Sequence, residues 1–211
     1  MKFLILLATL SLAVAAPQPR KVFHENFEDF VHLIETTVGD EIEHLLYHYL
    51  EFEEFLATVN YLSEANFKKL MYEMEELPEF KAVVDYLEGH NIDMTYYIDG
   101  LNNMLEYGPD FEDDKRRSLR HGVSGRDFSA YTRDLVNLLP KDQLNELYNQ
   151  KVAEDEDFKA AMEGLQSDEW KEIYAALWES EGFLAQITTL GENGLDVSLV
   201  MEELVAVFGQ N

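Results

Sequence analysis

FLATVNYLSEANFKKLMYEM (residues 55–74) and FKAAMEGLQSDEWKEIYAAL (residues 158–177) are two versions of one sequence, 103 residues apart. Phe55 pairs with Phe158, Leu62 with Leu165, Phe67 with Trp170, Lys68 with Lys171, Leu70 with Ile173 and Met74 with Leu177. The match runs outward in both directions. Phe80, Ala82 and Leu87 meet Phe183, Ala185 and Leu190. Ile92-Asp93-Met94 meets Leu195-Asp196-Val197, and Leu101 meets Leu204. Nearer the N-terminus Phe27 meets Phe128 at an offset of 101, so two residues of drift separate the two registers. Like residues held at one offset across a whole unit indicate an internal duplication.

The periodicity inside each copy is helical. Phe67, Leu70, Met71 and Met74 stand at i, i+3, i+4 and i+7, as do Phe80, Val83, Val84 and Leu87, and Phe23, Phe27, Phe30, Val31 and Ile34 form a similar stripe. The stripes are punctuated where helices begin. Ser63 and Ser167 occupy N-cap positions, Asp93 and Asp196 open the last helix of each copy, and Pro140 opens another. No stretch alternates as a strand does. The expectation is an all-α chain of about six short helices per copy. Two long units are too few for a solenoid, which buries its core by stacking three or more short repeats. They are expected to face one another across a pseudo-two-fold axis in one domain.

Composition narrows the function. The 211 residues carry 42 Asp and Glu against 16 Lys and Arg, no cysteine, and 26 aromatic side chains. The aromatics argue against disorder, the missing cysteines exclude thiol chemistry and disulfides, and the acidity disfavours nucleic acid. Residues 1–16 read as a secretory signal peptide: Lys2, an apolar run over Phe3–Val14, and Ala13-Val14-Ala15 before a cut after Ala15 or Ala16. Copy one is then 17–107, a joint 108–126, and copy two 127–211. The copies carry −15 and −13, whereas the joint carries +1 and one third of the positive charge after the leader. It reads as a solvated loop, as a protease-sensitive joint at Lys115, Arg116, Arg117 and Arg120, or as a contact for anionic lipid head groups.

Catalytic constellations are missing. Carboxylate pairs such as Glu53/Glu54 or Glu75/Glu76 are inevitable in so acidic a chain and read as solvated faces. His44 and His48 share a helix face with Glu41 one turn earlier, but Leu45 stands where the zinc-protease motif needs Glu, and two surface histidines are the simpler reading. Asp110 to Asp114 lacks EF-hand spacing, and Gly122-Val123-Ser124-Gly125-Arg126 lacks the last glycine of a nucleophile elbow. No enzyme activity, metal or cofactor is expected. The Phe-, Leu- and Met-rich stripes fill a core, or line a cavity for apolar guests, to which Met and Phe adapt readily.

The duplicated pattern resembles the insect allergen-related repeat family, which spans the cockroach group 1 allergen, mosquito midgut microvillar proteins and caterpillar nitrile-specifier proteins. It is carried by Phe55 to Leu62, Phe67 to Leu70 and Tyr86-Leu87 through Ile92-Asp93-Met94, by their counterparts, and by Leu138-Leu139-Pro140. Copy one departs from the pattern with Thr37-Val38-Gly39 where proline is usual. Two units behind a leader are most similar to the mosquito members. The resemblance implies a helical shell around a large hydrophobic cavity that carries fatty acids or phospholipids, secreted into the midgut lumen or held at microvilli. It supplies no catalytic residues.

Helix-face inference places Phe27, Phe30, Ile34, Phe55, Val59, Leu62, Phe67, Leu70, Met74, Val84, Leu87, Ile98 and Leu101 of copy one toward that cavity. From copy two it adds Leu135, Phe158, Met162, Leu165, Trp170, Ile173, Leu177, Ile187, Leu190, Met201 and Leu204. A monomer is expected, with transient membrane contact; wide apolar faces on short helices suggest exchange with membranes and their disruption. The other readings are a lipid-free acidic coat of microvilli and a nitrile-specifier-like detoxification protein.

Overall fold

The computed structural model describes residues 22–107 and 122–207, of which 83% are helical, in eleven α-helices and no strand. The expected leader with Ala15 and Ala16, the basic residues Lys115, Arg116, Arg117 and Arg120, and the side chain of Leu204 lie outside what is described. Copy one contains α1 (Val22–Tyr49), α2 (Glu53–Tyr61), α3 (Ala65–Glu75), α4 (Pro78–Gly89) and α5 (Met94–Tyr107). Copy two contains α6 (Phe128–Leu138), α7 (Lys141–Glu154), α8 (Glu156–Gly164), α9 (Asp168–Glu179), α10 (Glu181–Glu192) and α11 (Val197–Val207).

Helix boundaries repeat at the sequence offset. Adding 103 to the ends of α2 and of α4 gives the ends of α8 and of α10. The turn before the last helix repeats as well. Asn91 and Gly194, again 103 apart, both adopt the left-handed conformation, with φ of 60° and 87°. In each case the next residue's N–H closes back on the helix, Ile92 to Leu87 O and Leu195 to Leu190 O, both at 2.9 Å. Gly194 is required twice over, because a Cβ there would lie 2.1 Å from Thr58 Oγ1.

The copies differ in helix count, five against six, and one residue type explains it. In copy two Pro140 lacks the N–H that would continue α6, and it drives Leu139 to an extended φ, ψ of −60°, 138°. Copy one has no proline there. At the matching position Val38 leaves helical geometry (φ −136°, ψ 15°), yet the chain runs on, so a kink inside α1 replaces the break. Capping differs too. Asp127, Asp155, Ser167, Ser180 and Asp196 accept from backbone N–H groups at the starts of α6, α8, α9, α10 and α11. By contrast α2, α3 and α4 have no side-chain cap. Ser63 is not the expected cap of α3: Glu64 holds that position, and the Ser63 hydroxyl donates back to Val59 O at 3.5 Å.

Packing is reciprocal between the copies. α1 packs on α6, α2 on α6 and α1 on α8, while α3 packs on α10 and α4 on α9. Phe55 sits 5.7 Å from Phe128 and 5.0 Å from Tyr131 between ring centres. Its counterpart Phe158 sits 5.9 Å from Phe23 and 6.3 Å from Phe30 on the other copy's first helix. Three buried clusters result: one among α3, α4, α9 and α10 joined by Tyr61 of α2 and Ala161 of α8, one among α1, α2 and α6, and one among α1, α6, α7 and α8. Leu62 and Leu195 touch the first two, Phe23 and Met162 the first and third, and Ile34 and Leu139 the second and third. The apolar interior is therefore continuous.

Candidate functional site

The residues assigned to the interior by helix face fall into three groups. Phe30, Phe55, Val59, Phe67, Leu70, Met74, Leu87, Leu135, Phe158, Leu177 and Leu190 are buried members of the clusters. Ile34, Leu62, Met162, Leu165, Trp170, Ile173 and Ile187 are partly buried and pack against them. Phe27, Val84, Ile98, Leu101 and Met201 are half-buried but lie outside all three clusters. Outward, the described surface holds one exposed large hydrophobic, Leu184 at 41%. Among the described residues, large apolar side chains other than Leu184 are thus at least half-buried.

An aromatic row runs along one face of α9. Tyr86 and Trp170 are 5.5 Å apart, Trp170 and Tyr174 5.6 Å, Tyr174 and Trp178 5.9 Å, and Trp178 and Phe183 5.3 Å. The i, i+4, i+8 spacing of Trp170, Tyr174 and Trp178 produces it. Both tryptophans of the chain therefore report on the interior.

Polar groups enter this interior in a few places that no helical periodicity announces. Lys151 is 9% exposed; its Nζ donates to Asn26 Oδ1 at 2.6 Å and to Asp29 Oδ2 at 2.5 Å. Asn26 in turn donates to Asp155 Oδ2 at 2.8 Å, so α1 of one copy is tied to α7 and α8 of the other. A buried ammonium is tolerable only with such partners. Tyr49 donates to Asp134 Oδ2 at 2.6 Å, a second tie between the copies. His24 and Asp93, 2% and 3% exposed, meet at 2.6 Å between Nδ1 and Oδ2. Asp93 is thereby diverted to a buried partner, whereas Asp196 caps α11 through Leu199 N at 3.0 Å. His44 and His48 lie on α1, with the His48 ring 5.4 Å from Phe52, and no group of three possible metal ligands occurs among the described residues.

Glu75 on α3 accepts from Asn102 Nδ2 on α5 at 3.2 Å, while Glu75 Oε1 and Asn102 Oδ1 are both buried without a partner. Burial raises the Glu75 pKa above the usual carboxylate value, with the charges of Asp99 and Glu76 adding to it and the Asn102 bond opposing. A folded-state pKa above the unfolded one means that the folded chain holds this proton more tightly. The resulting stabilisation is complete below the unfolded carboxylate range and is lost as pH rises through the raised folded value. Glu75→Gln carries a permanent donor for Asn102 Oδ1. It is expected to melt a few degrees above wild type at neutral pH, for about 1 kcal/mol, with the gain vanishing near about pH 4. Thermal melts at the two pH values check this; a variant that melts below wild type at neutral pH contradicts it.

No curated protein matches the chain at a significant level. Its helical architecture and the offset shared by its sequence and helix boundaries agree with a match over residues 22–201 to the profile described as insect allergen related repeat, nitrile-specifier detoxification. The chain belongs to the insect allergen-related repeat family.

Proposed function

We propose that this protein is a non-catalytic carrier of acyl lipids, taking fatty acids or phospholipids into the apolar interior between its two copies. The supporting observation is the apolar set Phe27, Val84, Ile98, Leu101 and Met201, half-buried yet outside the packed clusters, in a chain whose described residues hold one exposed large hydrophobic. Side chains so placed gain contacts when an apolar guest arrives. Each buried methylene contributes roughly 0.8 kcal/mol, so a palmitoyl tail offers on the order of 12 kcal/mol before the cost of association. Selectivity then follows chain length more than head group.

Secretion into the gut lumen or to the microvillar surface belongs to the same proposal. So does exchange of cargo with membranes, through insertion of single apolar helix faces. No described helix is long and apolar enough to cross a bilayer. Organic extraction of the purified protein followed by mass spectrometry is expected to return fatty acids or phospholipids in stoichiometric amount. Delipidated protein is expected to reload from vesicles with a change in the fluorescence of Trp170 and Trp178. A lipid-free protein that takes up nothing from vesicles ends the carrier reading. Dye-filled vesicles that leak with neither delipidated nor loaded protein end the membrane part of it.

A further inference from the structure

Three buried polar atoms at one place in the interior lack a partner: His24 Nε2, Asp93 Oδ1 and Tyr97 OH. They belong to one neighbourhood. His24 is bonded to Asp93 and stacks on Tyr96 at 4.1 Å, and Phe27, one turn along α1 from His24, meets the Tyr97 ring edge-on at 5.6 Å. Leaving a buried polar atom unpaired is costly, so three together call for an occupant. The Lys151 network, by contrast, has protein partners throughout.

The chemistry of the three atoms specifies that occupant. Tyr97 is a donor, kept protonated because burial and then the charge of Asp93 push its pKa far up. Asp93 Oδ1 is an acceptor. With Nδ1 donating to Asp93 Oδ2, His24 Nε2 accepts in the neutral ring and donates in the imidazolium. The matching head group both gives and takes a hydrogen bond. A bare carboxylate has no proton for Asp93, and an anionic phosphodiester would meet the charges of Asp93 and, near Tyr97, of Glu28.

Copy two offers no equivalent. The positions matching His24, Asp93 and Tyr97 are Gly125, Asp196 and Val200, and Asp196 is exposed and spent on capping. The triad is therefore confined to copy one.

We propose that His24, Asp93 and Tyr97 form a head-group site for an undissociated carboxyl or hydroxyl group, orienting an acyl cargo with its polar end between α1 and α5. The inference rests on the carrier reading above. The atoms are sealed in this conformation, so the head group reaches them as α5 shifts away from α1.

The test compares lauric acid, dodecanol and dodecane, three probes of equal chain length, on wild type, Tyr97→Phe and His24→Asn. Tyr97→Phe removes only the unpartnered oxygen and is expected to leave the melting temperature unchanged or higher. His24→Asn keeps an amide donor toward Asp93 in place of Nδ1 and removes Nε2. Each variant is expected to bind lauric acid or dodecanol about five- to tenfold more weakly than wild type and dodecane equally well. A loss confined to the acid identifies the carboxyl, and a loss confined to the alcohol identifies the hydroxyl. If all three probes bind and neither variant distinguishes them from dodecane, the head-group site is overturned and a buried water is the partner. If wild type binds none of the three, the carrier reading fails first.

Discussion

Phe55→Ala is expected to lower the unfolding free energy by about 3–5 kcal/mol, the range for truncating a fully enclosed phenylalanine, and the melting temperature by on the order of 10 °C. Phe55 is 0% exposed and is packed by rings from both copies. Tyr49 lies 5.5 Å away on α1, with Phe128 stacked at 8° between ring planes and Tyr131 tilted above it on α6. Three neighbouring rings on rigid helices cannot collapse into the space of a deleted ring, so the cavity persists and the cost falls at the high end. Edge and stacking contacts among aromatics add about 0.5–1.5 kcal/mol per pair beyond buried area. Phe158→Ala should cost a comparable amount, because its ring makes the reciprocal contacts with Phe23, Phe30 and Tyr148. Leu184→Ala, at the exposed position, is the control and should move stability by less than about 0.5 kcal/mol. Melts followed by circular dichroism decide the matter. A shift at Phe55 no larger than the one at Leu184 would show that the inter-copy aromatic cluster does not hold the fold.

What the sequence disclosed, and what it did not, follows from how local each interaction is. The stripe Phe67, Leu70, Met71, Met74 specified α3 because helical register is set by neighbours three and four residues apart. Ser167 was legible as a cap for the same reason; it needs only Trp170 N, three residues on. Ser63 carried the same local signal and was misleading, since a hydroxyl on a preceding turn can equally donate to the carbonyl four residues back. The fused α1 was half legible: the absence of proline at Thr37-Val38-Gly39 was visible, but whether the chain breaks or bends there depends on packing against α6 and α7. Long-range polar pairs gave no signal. His24 and Asp93 are 69 residues apart, and Lys151 and Asn26 are 125 apart. No periodicity encodes which of many charged residues will be carried inside. The interior-facing set suffers from a related ambiguity, because Leu87, packed in a cluster, and Val84, outside one, share a helix face.

Neither copy is expected to fold by itself, and the two expressed separately as residues 17–107 and 122–211 are expected to regain helix only when mixed. The reason lies in which surfaces bury which. α1 of copy one has its inward face on α6, α7 and α8, all from copy two, and α3 and α4 pair with α10 and α9 across the same boundary. Isolated, copy one would expose Phe30, Phe55, Val59, Phe67 and Leu70, and the polar ties Tyr49–Asp134 and Asn26–Lys151 would lose their second member. Exposure of a buried Phe or Leu side chain forfeits about 1.5–3 kcal/mol, and five such side chains come to roughly the whole 5–15 kcal/mol by which a domain is stable. Helices of 9–14 residues cannot persist in water without a packing partner, and in copy one only α1 is longer. Far-UV circular dichroism of each fragment should therefore show little helix, and an equimolar mixture should recover most of the intact chain's signal with a concentration-dependent midpoint. A single copy that is helical, monomeric and cooperatively melting would overturn the interlocked arrangement.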